Sequence, residues 1–456
     1  MIPSLARMKG DTMRFPSSMH ILTYDMHGTV VATGQPKPVR HTGLVAHTHH
    51  LLAALAAQYP ATRWAVTQTG ATRFGAYQLR TPDGTLVLAQ GIRTGFGQYL
   101  GGAAGGKDSQ RVRHFYEDTI DDPANPIYAG LARQYAHVIA AAGTPNLLAQ
   151  NINPITSVLK AEESGRLKAA GVSRLNVTGV VHDLAGAEQR FDYLRRRLEV
   201  TEHSVRIVAV STAVAEYLAK AGIGGEMVRT VPNGIDIDEF AARLRAATEQ
   251  DAFATVACRN RLPAGRMVLL SARRVAWKGH ADLIAALRTL VARGAAGDAF
   301  VAFNGHDMHD TRALDYTREL TELTASGGLT GRVFLLDDLS PTEVAACYQA
   351  ATVAVLPSRC PEAFGYANIE AMLAGTPVIT TAHGGPLDYI NHGHSGLLVP
   401  PADPAALADV LHQVLTDTTL HTRLAREGRA SAARYGLEQM ATGYAQVISS
   451  HEEPQR

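Results

Sequence analysis

The second half of this chain alternates short apolar runs with helical segments, and that alternation leaves few folds open. The runs lie at 267–271, 299–304, 332–336, 351–356, 377–381 and 396–399. A short run that is apolar at nearly every position reads as a strand covered on both faces. Strands of that kind, separated by helices, form a parallel sheet with helices on either side.

The first half shows the same rhythm less cleanly. Strands are expected at 19–26, 63–68, 85–90, 147–151, 176–181 and 205–210, with helices at 44–58, 126–142 and 154–170. A further helix starts at Ala213 behind a Ser211-Thr212 cap. The turn Val231-Pro232-Asn233-Gly234-Ile235-Asp236, followed by a polar helical stretch to residue 260, marks a domain boundary. We therefore expect an α/β protein of two facing doubly wound, Rossmann-like domains, at 19–245 and 255–433, and a terminal helix at 434–450 packing back on the first. In such sheets ligands bind beyond the carboxyl ends of the strands, so the expected site is the cleft between the domains.

Composition narrows the partners. The 456 residues carry 43 Lys and Arg against 42 Asp and Glu, which points away from nucleic acid and anionic membranes. No apolar run approaches the roughly 18 residues of a membrane span. The first 18 residues lack the apolar stretch of a secretory signal and read as a frayed leader. Cys258, Cys347 and Cys360 have no metal-ligand spacing and suit a reduced, cytoplasmic compartment. His47, His49 and His50 invite a metal hypothesis, but His49 leaves the face shared by the other two and no carboxylate completes a set.

Two stretches carry chemistry. Residues 357–372 (PSRCPEAFGYANIEAM) follow a strand, turn through Gly365 and enter a helix, with Glu362 before it and Glu370 one turn inside. Amides from Phe364 through Gly365 and Tyr366 to Ala367 then sit at a helix N-terminus, where an anion or polar ligand oxygen can be held. The second stretch, Arg273-Arg274-Val275-Ala276-Trp277-Lys278-Gly279, follows the first strand of the second half. Arg273 and Lys278 suit a diphosphate, the guanidinium reaching two oxygens and the ammonium a third. Taken singly, each reads better as a capping carboxylate or a solvated basic loop. The widely spaced Gly28, Gly34 and Gly43 make only a weak phosphate-loop signal in the first half.

Together these motifs, with His383-Gly384-Gly385-Pro386-Leu387-Asp388, Gly396-Leu397-Leu398-Val399-Pro400, the 231–236 turn and His182 at its strand end, resemble the retaining glycosyltransferases of family 4, which have the GT-B fold. The resemblance runs from Met19 to Tyr444 and is most specific in the second half; it extends to bacterial members of the mycothiol and natural-product type. It implies that Arg273 and Lys278 hold the donor diphosphate and that Glu370 binds the ribose. It further implies that Glu362, with backbone at Phe364, Gly365, Tyr366 and Ala367, meets the donor sugar. By the same resemblance His182 faces that sugar from the first domain, Gly43 lies near the phosphates, and backbone around Leu336 contacts the base. The chain departs from the family in having Thr42-Gly43 for the usual Gly-Gly pair and Asp388 for the usual Glu.

The implied activity is a metal-independent, retaining hexosyltransferase of bacterial secondary metabolism, using a nucleoside-diphosphate sugar as co-substrate and no cofactor. Asp236-Ile237-Asp238 has the spelling of a metal site but lies in the Asn-Gly turn and reads as structural. Asp337-Asp338 reads as a strand-end cap. Expected partners are the nucleotide-sugar donor and a small soluble acceptor, with no nucleic acid, no membrane signal and a homo-oligomer allowed. A disaccharide phosphorylase of the same fold and a non-catalytic nucleotide-sugar sensor are the alternatives.

Overall fold

The computed structural model describes residues 14–24, 43–69, 75–80, 86–92, 120–121, 126–182, 184, 188–305 and 311–452. The loop from His27 to Thr42, the glycine-rich stretch 95–107 and Asp183 lie outside the described residues.

Eight strands form the first sheet: β1 (Ser18–Tyr24), β2 (Arg63–Thr69), β3 (Gly75–Arg80), β4 (Leu86–Ile92), β5 (Asn146–Gln150), β6 (Asn176–Val181), β7 (Ser204–Ala209) and β8 (Val228–Thr230). Their order is β3-β4-β2-β1-β5-β6-β7-β8, parallel throughout except for the antiparallel edge pair β3–β4. The second sheet holds β9 (Met267–Ser271), β10 (Phe300–Asn304), β11 (Val333–Leu335), β12 (Val353–Leu356), β13 (Val378–Thr381) and β14 (Leu397–Val399). All its pairs are parallel, in the order β11-β10-β9-β12-β13-β14. The two doubly wound α/β units are those the alternation predicts.

Burial explains the uniformly apolar strands of the second sheet. Met267, Leu269, Phe300, Ala302 and Ala354 enter one core cluster, while Val268, Leu270, Val301, Phe303 and Val355 enter another on the opposite face. Successive side chains point to opposite faces, and both faces are covered.

Packing draws the line between the halves earlier than the sequence suggests. The helix Ile237–Glu249 contributes Phe240 and Leu244 to the second core, so residues 237–245, expected with the first domain, pack with the second. The helix expected over 154–170 stops at Glu163, where the Ser164 hydroxyl donates back to the Lys160 carbonyl at 2.8 Å.

After the second sheet the chain returns. The helix Leu437–Ser449 places Met440, Tyr444, Val447 and Ile448 in the first core. Beyond it His451 bonds Thr178 Oγ1 on β6 (3.0 Å) and Ser204 Oγ on β7 (2.8 Å). The outgoing and returning crossings lie side by side: the Ile235 amide donates to the Tyr435 carbonyl at 2.9 Å. Among the described residues no helix is long and apolar enough to cross a membrane.

Candidate active site

In the second sheet the strand order reverses between β9 and β12, which opens a crevice beyond Ser271 and Leu356. Both chemistry-bearing stretches leave from those two ends.

The loop after β9 contains adjacent arginines with opposite fates. Arg274 is buried, and its guanidinium donates to the carbonyls of Phe303 (3.2 Å) and Leu336 (2.5 Å). Burial lowers its pKa to about 10, against the attraction of Asp337 and Asp338. Arg273 is exposed, and its guanidinium has no hydrogen bond or ion pair among the described residues. Arg274 anchors the loop, and Arg273 remains available. Lys278 lies with Nζ 4.2 Å from the Trp277 ring centroid. Gly279 follows at φ 77°, and a Cβ there would fall 2.0 Å from the Pro357 carbonyl oxygen. Only glycine lets this loop press so closely on the one leaving β12. Arg359 strengthens the junction, its amide donating to the Trp277 carbonyl (2.7 Å) and its guanidinium gripping Asp282 (2.8 and 2.7 Å).

That junction brings together residues 84 positions apart. Lys278 Nζ pairs with Glu362 Oε1, and Ser358 Oγ donates to the same oxygen at 2.6 Å. Glu362 Oε2 has no partner among the described residues. The loop after β13 fixes the back of this cluster: Thr381 Oγ1 donates to the Ser358 carbonyl at 2.9 Å and the Gly385 amide to the Glu362 carbonyl at 2.8 Å. Gly384, at φ 75°, has its Cβ direction blocked 2.5 Å away by the Glu362 carbonyl oxygen.

Gly365 precedes the helix Tyr366–Ala374, whose first amides, at Tyr366 and Ala367, have no partner inside the helix. Phe364 is buried, its ring meeting those of Tyr366, Tyr389 and Tyr435 at 5.1–5.8 Å. One turn into the helix, Glu370 accepts from the Tyr348 hydroxyl at 3.1 Å through Oε2. Burial raises its pKa, opposed by that bond and by Arg243. Leu336 has a buried side chain, its amide bonded to the Phe303 carbonyl (2.9 Å) and its own carbonyl to Arg274.

From the first domain, His182 follows β6 directly. Its Nε2 is buried without a partner, and burial lowers its pKa to about 3, so the ring is neutral. Gly43 opens the helix Gly43–Gln58. Two contacts cross between the domains nearby. Ala363 packs against the first core, and Asp388 Oδ2 accepts from the Thr212 amide at 2.9 Å. Asp236 caps its helix by accepting from the Glu239 amide at 2.8 Å. Among the described residues no three His, Cys, Asp or Glu side chains are placed to hold a metal.

The structure thus joins Lys278 and Glu362 directly, while Arg273, Glu370 and His182 have no bond to that pair. Sequence reasoning gave no role to Ser358, Arg359, Asp282 or Tyr348. Of these, Ser358 had a signal, since a hydroxyl four residues before Glu362 can close the turn on it.

Comparison with known proteins bears on the whole chain. Residues 259–431 match the family model of glycosyl transferases group 1, and residues 160–239 match that of Glycosyltransferase Family 4. A D-inositol 3-phosphate glycosyltransferase of Xylanimonas cellulosilytica is 32% identical over 255 residues, 55% of this chain and 58% of that protein. D-inositol 3-phosphate glycosyltransferase 1 of Catenulispora acidiphila is 33% identical over 246 residues, 52% and 53% of the two chains. The chain thus spans little more than half the length of these relatives. Sucrose-phosphate synthase from Thermosynechococcus elongatus superposes with a TM-score of 0.68 at 20% identity, covering 95% of this chain and 99% of its own. Anabaena Alr3699/HepE, solved with UDP and glucose, gives 0.64 at 18%, covering 95% and 100%. At such identities these two structures speak for the fold. Residues 160–239 and 259–431 thus belong to the family 4 and group 1 glycosyltransferases, and the chain has the GT-B fold.

Proposed function

We propose that this protein is a retaining glycosyltransferase that moves a sugar from a nucleoside-diphosphate donor to a small soluble acceptor. The observation that carries the reading is the cluster at the β9/β12 crevice, where Lys278, Ser358 and Glu362 meet beside an unpaired Arg273 and a helix N-terminus. As the glycosidic bond to the diphosphate breaks, negative charge grows on the leaving group. Arg273, Lys278 and the amides at Tyr366 and Ala367 supply the preorganised positive field that stabilises it, without assigning a role to a metal. Glu362, released from Lys278 by the arriving phosphates, accepts from hydroxyls of the donor sugar. Glu370 has an oxygen left for a ribose hydroxyl. His182, neutral, meets the sugar from the first domain without adding positive charge beside an oxocarbenium-like centre. Among the described residues no second carboxylate joins Glu362 in the cluster, which supports front-face transfer over a double displacement. The D-inositol 3-phosphate glycosyltransferases among the relatives favour a small polyol or its phosphate as acceptor.

Calorimetric titration with UDP, GDP, ADP and dTDP tests the donor class. One nucleotide should bind tightly to the wild type and at least tenfold more weakly to Glu370→Ala, the loss of about 1.4 kcal/mol expected for a hydrogen bond to a charged group. Failure of all four to bind would overturn the reading in favour of a phosphorylase.

A further inference from the structure

We propose that His47 and Tyr444 form a seat that fixes the ring plane of His182, acting as positioning residues for sugar transfer. The inference rests on the reading of His182 as the side chain that meets the donor sugar.

The three side chains come from distant parts of the chain: the helix after β1, the end of β6, and the returning helix after the second domain. His182 stands just beyond its strand, and no hydrogen bond holds its imidazole among the described residues. The His47 ring meets it edge to face, with ring centroids 4.7 Å apart and planes at 72°. That contact sets the direction in which His182 presents a nitrogen. His47 is itself held: it is fully buried, its Nε2 lies 3.2 Å from the Tyr444 hydroxyl, and the Tyr444 ring packs at 5.8 Å.

Simple core packing does not account for this arrangement. Both His47 and Tyr444 are polar and fully buried, and His47 Nδ1 has no partner. Burying such a group costs free energy that a leucine would avoid. Burial first, then the nearby His182 and His50, keep His47 neutral, so two neutral rings touch and no cation competes with the reacting sugar. The Tyr366 phenol, at the start of the 366–374 helix, also acts electrostatically on Tyr444.

The test compares His47→Gln, Tyr444→Phe, His182→Ala and His47→Gln/His182→Ala in the full-length protein. UDP-glucose is the probe, read by steady-state consumption and by the imidazole resonances of His182. Each seat variant should shift the His182 resonances and lower kcat about 10–100-fold with KM nearly unchanged, as expected for a misplaced group. The double variant should be no slower than His182→Ala alone. Wild-type kcat with unmoved His182 resonances in both seat variants overturns the seat, as does a double variant whose losses multiply. A silent His182→Ala would instead overturn the donor-sugar reading, and the resonance shifts would then judge the seat separately. Tyr444→Phe keeps the ring and its packing, so a collapse of His47→Gln alone does not spoil the comparison.

Discussion

The strands of the second sheet bury almost nothing polar before their carboxyl ends, whereas those of the first carry histidine, threonine and glutamine through their interior. In β9–β14 the buried polar strand residues, Asn304, Thr380 and Thr381, lie at or next to the ends that face the crevice. In the first sheet His20 bonds Thr67 across β1 and β2 at 2.8 Å, and Thr69 bonds the buried Tyr135 hydroxyl at 2.7 Å. Gln150, at the end of β5, is fully buried as well, its side-chain amide without a partner among the described residues. An apolar core tolerates many sequences that keep its volume. A core of paired polar groups works only with its particular partners. The half proposed to hold the donor is accordingly the more generic, and the half proposed to face the acceptor the more individual.

The comparison breaks first at the crevice. Replacing Lys278 or Arg273 by Ala should lower kcat by about 10²–10³, the cost of losing one preorganised donor to the leaving charge, while the fold and Tm stay near wild type. Steady-state kinetics with the nucleotide sugar found in the binding screen would read it, and a loss under fivefold would remove the diphosphate from this loop.

Acid should separate the two halves. Burial lowers the pKa of His20 and His451 to about 4 and of His182 to about 3, all three packed in or on the first domain, against His280 at about 3 in the second. The unfolded chain takes up protons near the ordinary histidine value of about 6.5, and the folded chain refuses them. Their contribution is therefore whole above about 6.5 and falls as pH drops towards 4, by about 1.4 kcal/mol per pH unit for each refused proton. Hydrogen exchange at pH 7.5 and 5 should show the first sheet losing protection before the second. Equal losses would mean that the polar core is not the weaker one.

The smallest effect sharpens the picture of Glu370. Its pKa is raised by burial from the ordinary 4.5, so the ionised carboxylate costs folding free energy at neutral pH, a cost that shrinks as pH falls through the folded pKa and is gone below the unfolded one. Glu370→Gln should raise Tm slightly, by roughly 1–2 °C at pH 7.5, while weakening nucleotide binding. An unchanged affinity would move the ribose elsewhere.

Legibility in the sequence followed the same divide. Every strand of the second sheet was readable because burial on both faces leaves a short, continuous apolar signature. In the first, β3 (GAYQLR) was missed because an edge strand of mixed polarity carries no such run, and β8, three residues long, gave no run either. The candidate donor residues were individually visible. The bond between Lys278 and Glu362 was not, because it depends on β12 lying beside β9, and alternation alone does not give strand order. His47 was visible only as one of three histidines on a helix, since its neighbours His182 and Tyr444 are brought to it by the fold.

The side-by-side crossings at Ile235 and Tyr435 have a mechanical meaning. Because the last helix returns to the first sheet, the second domain is an insertion in the first, entered and left through one narrow neck. Tension applied between β1 and His451 runs through the first domain alone, and the second carries no load until the first gives way. Within the folded protein, two chain segments fastened along one line resist twisting across it and leave bending about it as the soft motion. The load-bearing half is the one with the polar core.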